Sequence, residues 1–116
     1  MNRSAEGVAA EKHAATFLQK QGLKLLETNY RCRFGEIDLI MRDGDTLVFA
    51  EVRLRKSQNF GGAAASITAQ KQARLVKAAR HYLSSLKTPP ACRFDAVLLS
   101  GTGGREIEWI KNAFEE

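Results

Sequence analysis

The sequence predicts an α/β domain, and three observations carry that reading. Helix-type hydrophobic spacing occurs near the start and again in the second half of the chain. Between these two segments lies a pair of apolar, β-branched runs joined by an Asp-Gly turn, and after a Pro-Pro break come further extended segments. The 116 residues, 44% hydrophobic and 27% charged, fit one ordinary globular unit. With no repeat and no linker composition to divide it, 1–116 reads as a single domain.

The elements follow in order. Residues 5 to 21 place Ala10, Ala14, Phe17 and Leu18 at helical spacing, and Gly22 is the helix stop. Leu23 to Glu27 is a short apolar strand. Thr28 to Gly35, with Asn29, Arg31 and Arg33, reads as a strand end and loop. Glu36 to Arg42 alternates as a strand does, with Ile37, Leu39 and Met41 on one side and Glu36, Asp38 and Ile40 on the other. Asp43-Gly44-Asp45 turns the chain, and Thr46 to Arg53 returns as a second strand in which Phe49, Glu51 and Arg53 share a face. Leu54 to Ala65, with Arg55, Lys56 and Gly61-Gly62, is a basic loop. Thr68 caps a second helix reaching about Leu86, with Leu75, Val76, Ala79, Tyr82 and Leu83 inward and Lys71, Arg74, Lys77, Arg80 and Lys87 outward. After Pro89-Pro90, Arg93 to Ser100 is a strand, Gly101 to Gly104 a turn, and Glu106 to Ile110 a last strand or extended tail. The predicted order is α-β-β-β-α-β-β.

Eighteen Lys and Arg against thirteen Asp and Glu give a net charge of +5, which favours a polyanionic partner such as nucleic acid. Two cysteines, Cys32 and Cys92, with no CxxC spacing and no secretory leader, point to a reducing cytoplasmic setting. His13 and His81 stand far apart, so a zinc site of the usual Cys/His kind has no support. No apolar run approaches the roughly 20 residues that span a bilayer, so no membrane partner is expected.

Asp38 and Glu51 interrupt otherwise apolar strands, and a buried carboxylate without a partner takes up a proton rather than remain charged. Two explanations stand. Each acid pairs with a neighbouring cation such as Arg42 or Arg53 or lies on a wet face, or the two converge across the hairpin on a divalent cation. Mg²⁺ or Mn²⁺ fits the second, being held by one or two carboxylates together with waters and phosphate oxygens, which in a basic protein points to phosphodiester chemistry.

The segments Asn29-Tyr30-Arg31-Cys32-Arg33, Gly35-Glu36-Ile37-Asp38-Leu39-Ile40 and Val48-Phe49-Ala50-Glu51-Val52-Arg53, with Ser66-Ile67 and Lys71-Gln72 beyond them, resemble the YraN family of uncharacterised bacterial proteins. The likeness runs from about Glu11 to Phe114. That family is similar to Holliday junction resolvases of the PD-(D/E)XK nuclease superfamily. The resemblance implies a restriction-endonuclease-like three-layer core, a mixed sheet flanked by helices. It implies that Asp38 and Glu51 are the metal-binding acids of the motif and Glu11 a helical third. Glu36, on the same strand face as Asp38, either assists the site or is solvated. A homodimer follows by analogy with resolvases that cut symmetric junctions.

The motif's lysine is Arg53 here. Arginine stays protonated and cannot be a general base, but it can grip a phosphate oxygen and stabilise transition-state charge. Lys71 or Lys56 would supply a displaced lysine. Arg31, Arg33, Arg55 and Lys56 flank the site and would contact backbone phosphates, while Tyr30 and Phe60 could stack on bases or pack in the core. His81 reads as helix surface and Trp109 as core. The expected function is a metal-dependent endonuclease acting on structured or branched DNA. A noncatalytic nucleic-acid or protein-binding module and an RNA nuclease are the alternatives.

Overall fold

The computed structural model describes residues 5–54, 67–101 and 105–114. The elements are α1 (Ala5–Lys20), β1 (Lys24–Cys32), β2 (Gly35–Asp43), β3 (Thr46–Leu54), α2 (Ala69–Leu83), β4 (Cys92–Ser100) and β5 (Glu106–Phe114), the predicted order. The strands form one sheet in sequence order β1-β2-β3-β4-β5. Every neighbouring pair is antiparallel except β3 and β4, which run parallel and are joined through α2. A parallel pair needs a long crossover, and α2 is that crossover.

The two helices cover opposite faces of the sheet. Ala10, Ala14, Ala15 and Leu18 of α1 pack on Leu39, Met41, Val48, Ala50, Val97 and Leu99. Leu75, Ala78 and Ala79 of α2 pack on Ile37, Ile40, Leu47, Phe49, Phe94 and Ala96. The result is a helix-sheet-helix sandwich, the three-layer core of the restriction-endonuclease-like class. The small alanines of α1 let its backbone lie close to the sheet, whereas the α2 side is filled by aromatic rings, with Phe49 and Phe94 at 5.6 Å between centroids.

Local signals explain the element ends. Gly22, at φ +100°, takes the left-handed position after α1, where Leu23 N–H bonds to Leu18 C=O (3.1 Å) and Gly22 N–H to Gln19 C=O (3.0 Å), closing the last carbonyls of the helix. Thr68 caps α2 by accepting from the Lys71 N–H at 3.2 Å. Gly44, at φ +61°, is the first central residue of the two-residue turn between Asp43 and Thr46, the place a type II′ hairpin reserves for glycine.

The structure departs from the sequence reading at several places, among them α2, which ends at Leu83 rather than near Leu86. The strand expected to end at Glu27 runs on to Cys32, because Thr28, Tyr30, Arg31 and Cys32 all pair with β2 after an irregularity between Leu25 and Glu27. β5 extends to Phe114, whose ring stacks on Phe94 at 4.9 Å. Ile37 joins Ile40 on the α2 face instead of Leu39 and Met41 on the α1 face. The strict alternation fails near Asp38, where the β2–β3 pairing ends at Leu39 and Ala50. There the Val52 N–H donates to Asp38 Oδ2 at 2.8 Å, so a side chain replaces the next backbone acceptor. The basic loop with Arg55, Lys56 and Phe60, and Ser66, lie outside the described residues.

Candidate active-site cleft

The splay of β2 from β3 opens a cleft of about 540 Å³ at the end of the sheet. Its walls come from the first half of α1 (Gly7, Ala10, Glu11), the β1–β2 hairpin, the end of β3 and the first turns of α2. Four acids face it, Glu11, Glu36, Asp38 and Glu51, and four cations, Arg31, Arg53, Lys71 and Arg74. The resemblance-implied residues Glu11, Asp38, Glu51, Arg53 and Lys71 therefore share one site although sixty positions separate the first from the last.

Glu51 is buried, with 6% of its surface exposed, at a position fixed by the β3 ladder beside Ala96 of β4. Desolvation, a side-chain hydrogen bond with Asp38 and the nearby charge of Asp38 push its pKa up to about 9. The Arg53 guanidinium, 3.6 Å from Glu51 Oε2, offsets this only in part. Ionising the buried Glu51 beside another acid is therefore costly, and a divalent ion would offset that cost. The donor set is hard oxygen throughout, so the residues fit Mg²⁺ or Mn²⁺. Among the described residues, no three His, Cys, Asp or Glu side chains are gathered closely enough to hold a metal ion. Glu11 thus shares the cleft with the Asp38–Glu51 pair without completing a three-carboxylate cluster.

The remaining predicted residues divide. Arg31 lines the cleft and pairs with Glu36, Nε to Oε2 3.2 Å. Arg33 sits at the β1–β2 turn with its guanidinium 4.9 Å from the Phe34 ring centre, away from the acids. Tyr30 packs edge-on against Tyr82 at 5.2 Å, and Trp109 edge-on against Phe17 at 6.3 Å. His81 is exposed on α2 as expected. Arg74, which the sequence reading placed only among the outward charges of α2, lies in the cleft because the turn before Gly35 reaches across to that helix, with the Arg74 Cβ 3.7 Å from where a Gly35 side chain would begin.

One buried group escaped the sequence reading altogether. Asp95 is fully buried and accepts from Arg93 Nε (3.0 Å), Trp109 Nε1 (3.0 Å) and the Asn112 N–H (2.9 Å), while Arg93 also pairs with Asp43 at 3.0 Å. Burial works against the Arg93 charge, but its hydrogen bonds to Asp95 and Asp43 and the charges of those carboxylates more than offset it and raise its pKa. The signal was available: Asp95 is a lone acid in the run Phe94 to Leu99, the same kind of interruption that singled out Asp38 and Glu51.

The model of the uncharacterised protein family UPF0102 matches residues 10–99. The chain belongs to the UPF0102 family. A UPF0102 protein of Nitrosospira multiformis is 63% identical over 115 residues, covering 99% of this chain and 97% of the relative. One from Nitrosomonas europaea is 66% identical over 111 residues, 96% and 94% of the two chains, and one from Herminiimonas arsenicoxydans is 55% identical over 113 residues, 97% and 89%. Membership of UPF0102 agrees with the resemblance carried by the Gly35 to Ile40 block, and the match takes in every cleft residue except Gly7. Among the described residues, no helix of this UPF0102 protein is long and apolar enough to cross a membrane.

The Glu51 environment gives a signed prediction. A folded-state pKa above the ordinary 4.5 means that Glu51 favours the fold when protonated. That contribution is complete below about pH 4.5 and is lost as the pH rises towards 9. The metal-free protein is therefore expected to lose stability between pH 5 and 9, and Glu51→Gln to lose less. At pH 8 the variant should be the more stable by about 1 to 2 kcal/mol, with added Mn²⁺ closing the gap by stabilising wild type alone. Thermal melts across that pH range measure this, and a Gln variant that melts below wild type at pH 8 would contradict the assignment of a strained acid pair.

Proposed function

We propose that this UPF0102 protein is a metal-dependent endonuclease that hydrolyses phosphodiester bonds in structured or branched DNA. The observation that carries the reading is the contact of Asp38 with the buried Glu51 in an open cleft whose other walls bear Arg53, Lys71, Arg74 and Arg31. Asp38 and Glu51 are the residues that would hold Mg²⁺ or Mn²⁺, which would lower the pKa of a bound water and offset charge building on phosphorus. Burial of Glu51 suits this role, because a carboxylate in a poorly solvated place binds a divalent cation against little competition from water.

Arg53 holds a fixed positive charge beside the pair and, among the described residues, its buried Nε has no hydrogen-bond partner. In this reading Arg53 orients a phosphate oxygen and stabilises transition-state charge without moving a proton. Lys71 brings the nearest lysine of α2 into the cleft and is the residue available for a protonation role. Arg31, Arg33 and Arg74, with Arg55 and Lys56 of the following segment, would contact the backbone phosphates, and a homodimer would present two such clefts to a symmetric junction.

A second reading, a binding module that keeps the nuclease fold without catalysis, draws on Arg53 standing where the motif has lysine. The two separate in one assay. An endonuclease cleaves a four-way or flapped DNA in Mg²⁺ or Mn²⁺ and stops on chelation. A module binds the same DNA with affinity that falls steeply with salt and is indifferent to metal. Absence of cleavage on branched, duplex and single-stranded DNA in both metals would sink the catalytic reading.

A further inference from the structure

Half of the eighteen Lys and Arg residues fall between Val52 and Phe94, and that stretch holds no Asp or Glu. Helix α2 lies within it, so its cations meet no acid on their own element. Arg74, Lys77 and His81 are exposed, and at 100° per residue they fall within one stripe about 60° wide. Arg74 and Lys77 have no ion pair among the described residues. The stripe starts in the cleft, at Arg74, and runs about 10 Å along the helix to His81, the length of about three nucleotides of one strand. At its far end it meets the β1–β2 turn. Arg33 and Phe34 form that turn between the paired Cys32 and Gly35, where a tight hairpin ordinarily takes Asn, Asp or Gly. Phe34 sets its ring edge-on to His81 at 5.8 Å, and Arg33 lays its guanidinium over the same ring at 4.9 Å. Tyr30, 6.4 Å from His81 and 5.2 Å from Tyr82, backs the group from β1. Arg33 is exposed, so a guanidinium with one face on the ring keeps its other face for solvent.

We propose that this ridge binds an unpaired DNA strand as it leaves the cleft, with phosphates along Arg74 and Lys77 and a base stacked on the outer face of Arg33. The proposal rests on the nucleic-acid reading of the cleft and specifies the form of substrate: a duplex with a single-stranded arm, such as a flap, rather than a continuous duplex. Surfaces that hold single strands combine cations that track the backbone with flat groups on which bases stack, and the ridge has both. A base within a duplex has its faces covered by its neighbours and offers nothing to Arg33, whereas an unpaired base does. Phe34 holds the guanidinium flat in advance, so that less rotamer freedom is lost when a base arrives. The N–H edge of Arg33 stays open to a phosphate oxygen, so one side chain serves both contacts. An acidic protein segment would answer the charge of the ridge but gain nothing from a guanidinium held flat.

Fluorescence anisotropy of labelled oligonucleotides in the absence of metal tests this apart from cleavage. Wild type is expected to bind a single strand at least about 10-fold more tightly than a blunt duplex of equal length. Charge alone favours the duplex, whose phosphates are denser, so that preference reports the stacking surface. Arg33→Lys keeps the charge and loses the plane, and should weaken single-strand binding by about 10-fold while leaving duplex binding and the melting temperature unchanged. Lys77→Ala should weaken both ligands and lower the salt dependence by about one phosphate contact. Equal affinity of wild type for the two DNAs, or an Arg33→Lys variant that holds the single strand as wild type does, would overturn the proposal. Displacement of the strand by polyglutamate as readily as by oligothymidylate would overturn it in favour of an acidic protein partner. Selective binding without cleavage would leave the ridge standing and remove only the catalytic reading of the cleft, and cleavage without this selectivity would do the reverse.

Discussion

Asp38→Asn is expected to reduce metal-dependent cleavage by roughly 10²- to 10³-fold while leaving the fold in place. The asparagine keeps a carbonyl oxygen where Asp38 Oδ2 accepts from the Val52 N–H at 2.8 Å, so the irregular junction between β2 and β3 retains its one side-chain closure. What is lost is the negative charge next to Glu51. The hydrogen bond between them can persist through the amide, so circular dichroism and the melting temperature should change little. The measurement is initial cleavage rate on a branched DNA at saturating Mn²⁺, beside a melt of the same sample. Cleavage within a few-fold of wild type would remove Asp38 from the chemistry and shift the weight to the binding-module reading. Loss of both cleavage and fold in Asp38→Asn would instead make the carboxylate a structural group.

The largest loss of stability is expected from Asp95→Ala, about 3 to 5 kcal/mol, because one deletion takes the buried carboxylate from the half-buried Arg93 and leaves two N–H donors without their shared acceptor. Arg93 would keep only Asp43, and Trp109 Nε1 and the Asn112 N–H would lose their shared acceptor. Asn112 is itself left-handed, φ +55°, so the irregularity of the β4–β5 pairing, between Phe94 and Ala96 on one strand and Ile110 and Phe114 on the other, loses the bond that accompanies it. For a chain of this size the melting temperature should drop by roughly 10 to 20 °C. Asp95→Asn, whose single amide oxygen can replace one of the two carboxylate oxygens that accept from Trp109 and Asn112, should cost less than Asp95→Ala. Asp95 alternates with Val97 and Leu99 on the α1 face, opposite the α2 face to which Glu51 belongs by alternation with Phe49. Cleavage by the folded fraction at low temperature should accordingly stay close to wild type. A melting point for Asp95→Ala within about 2 °C of wild type would refute the assigned role.

Comparison of these two acids shows how far a sequence can be read. Asp38, Glu51 and Asp95 send the same signal, a carboxylate inside a β-branched run, and nothing local distinguishes them. Asp95 finds a complete set of donors from β4 and β5, so its charge is spent on holding strands together. Glu51 finds another acid and a distant guanidinium, which leaves it strained. Partners on other strands make the difference, and those depend on register. The same holds for Ile37. Alternation assigns it to the face of Leu39 and Met41, but the ladder between β2 and β3 stops at Leu39, and past that point the period of two no longer governs the chain.

Periodicity and turn chemistry by themselves determined the order of elements, the helix stop at Gly22, the Thr68 cap and the turn at Gly44, because each depends on residues within a few positions of one another. The Gly35 to Ile40 block determined the family. Only the tertiary structure decided that Glu11, Asp38, Glu51, Arg53, Lys71 and Arg74 face one cleft and that Arg33 lies over Phe34 rather than beside its acids. It also decided that Arg31 meets Glu36. The physical reason is that burial and electrostatic coupling act through space, over a few ångströms set by strand register and helix packing. Sequence distance carries no record of them.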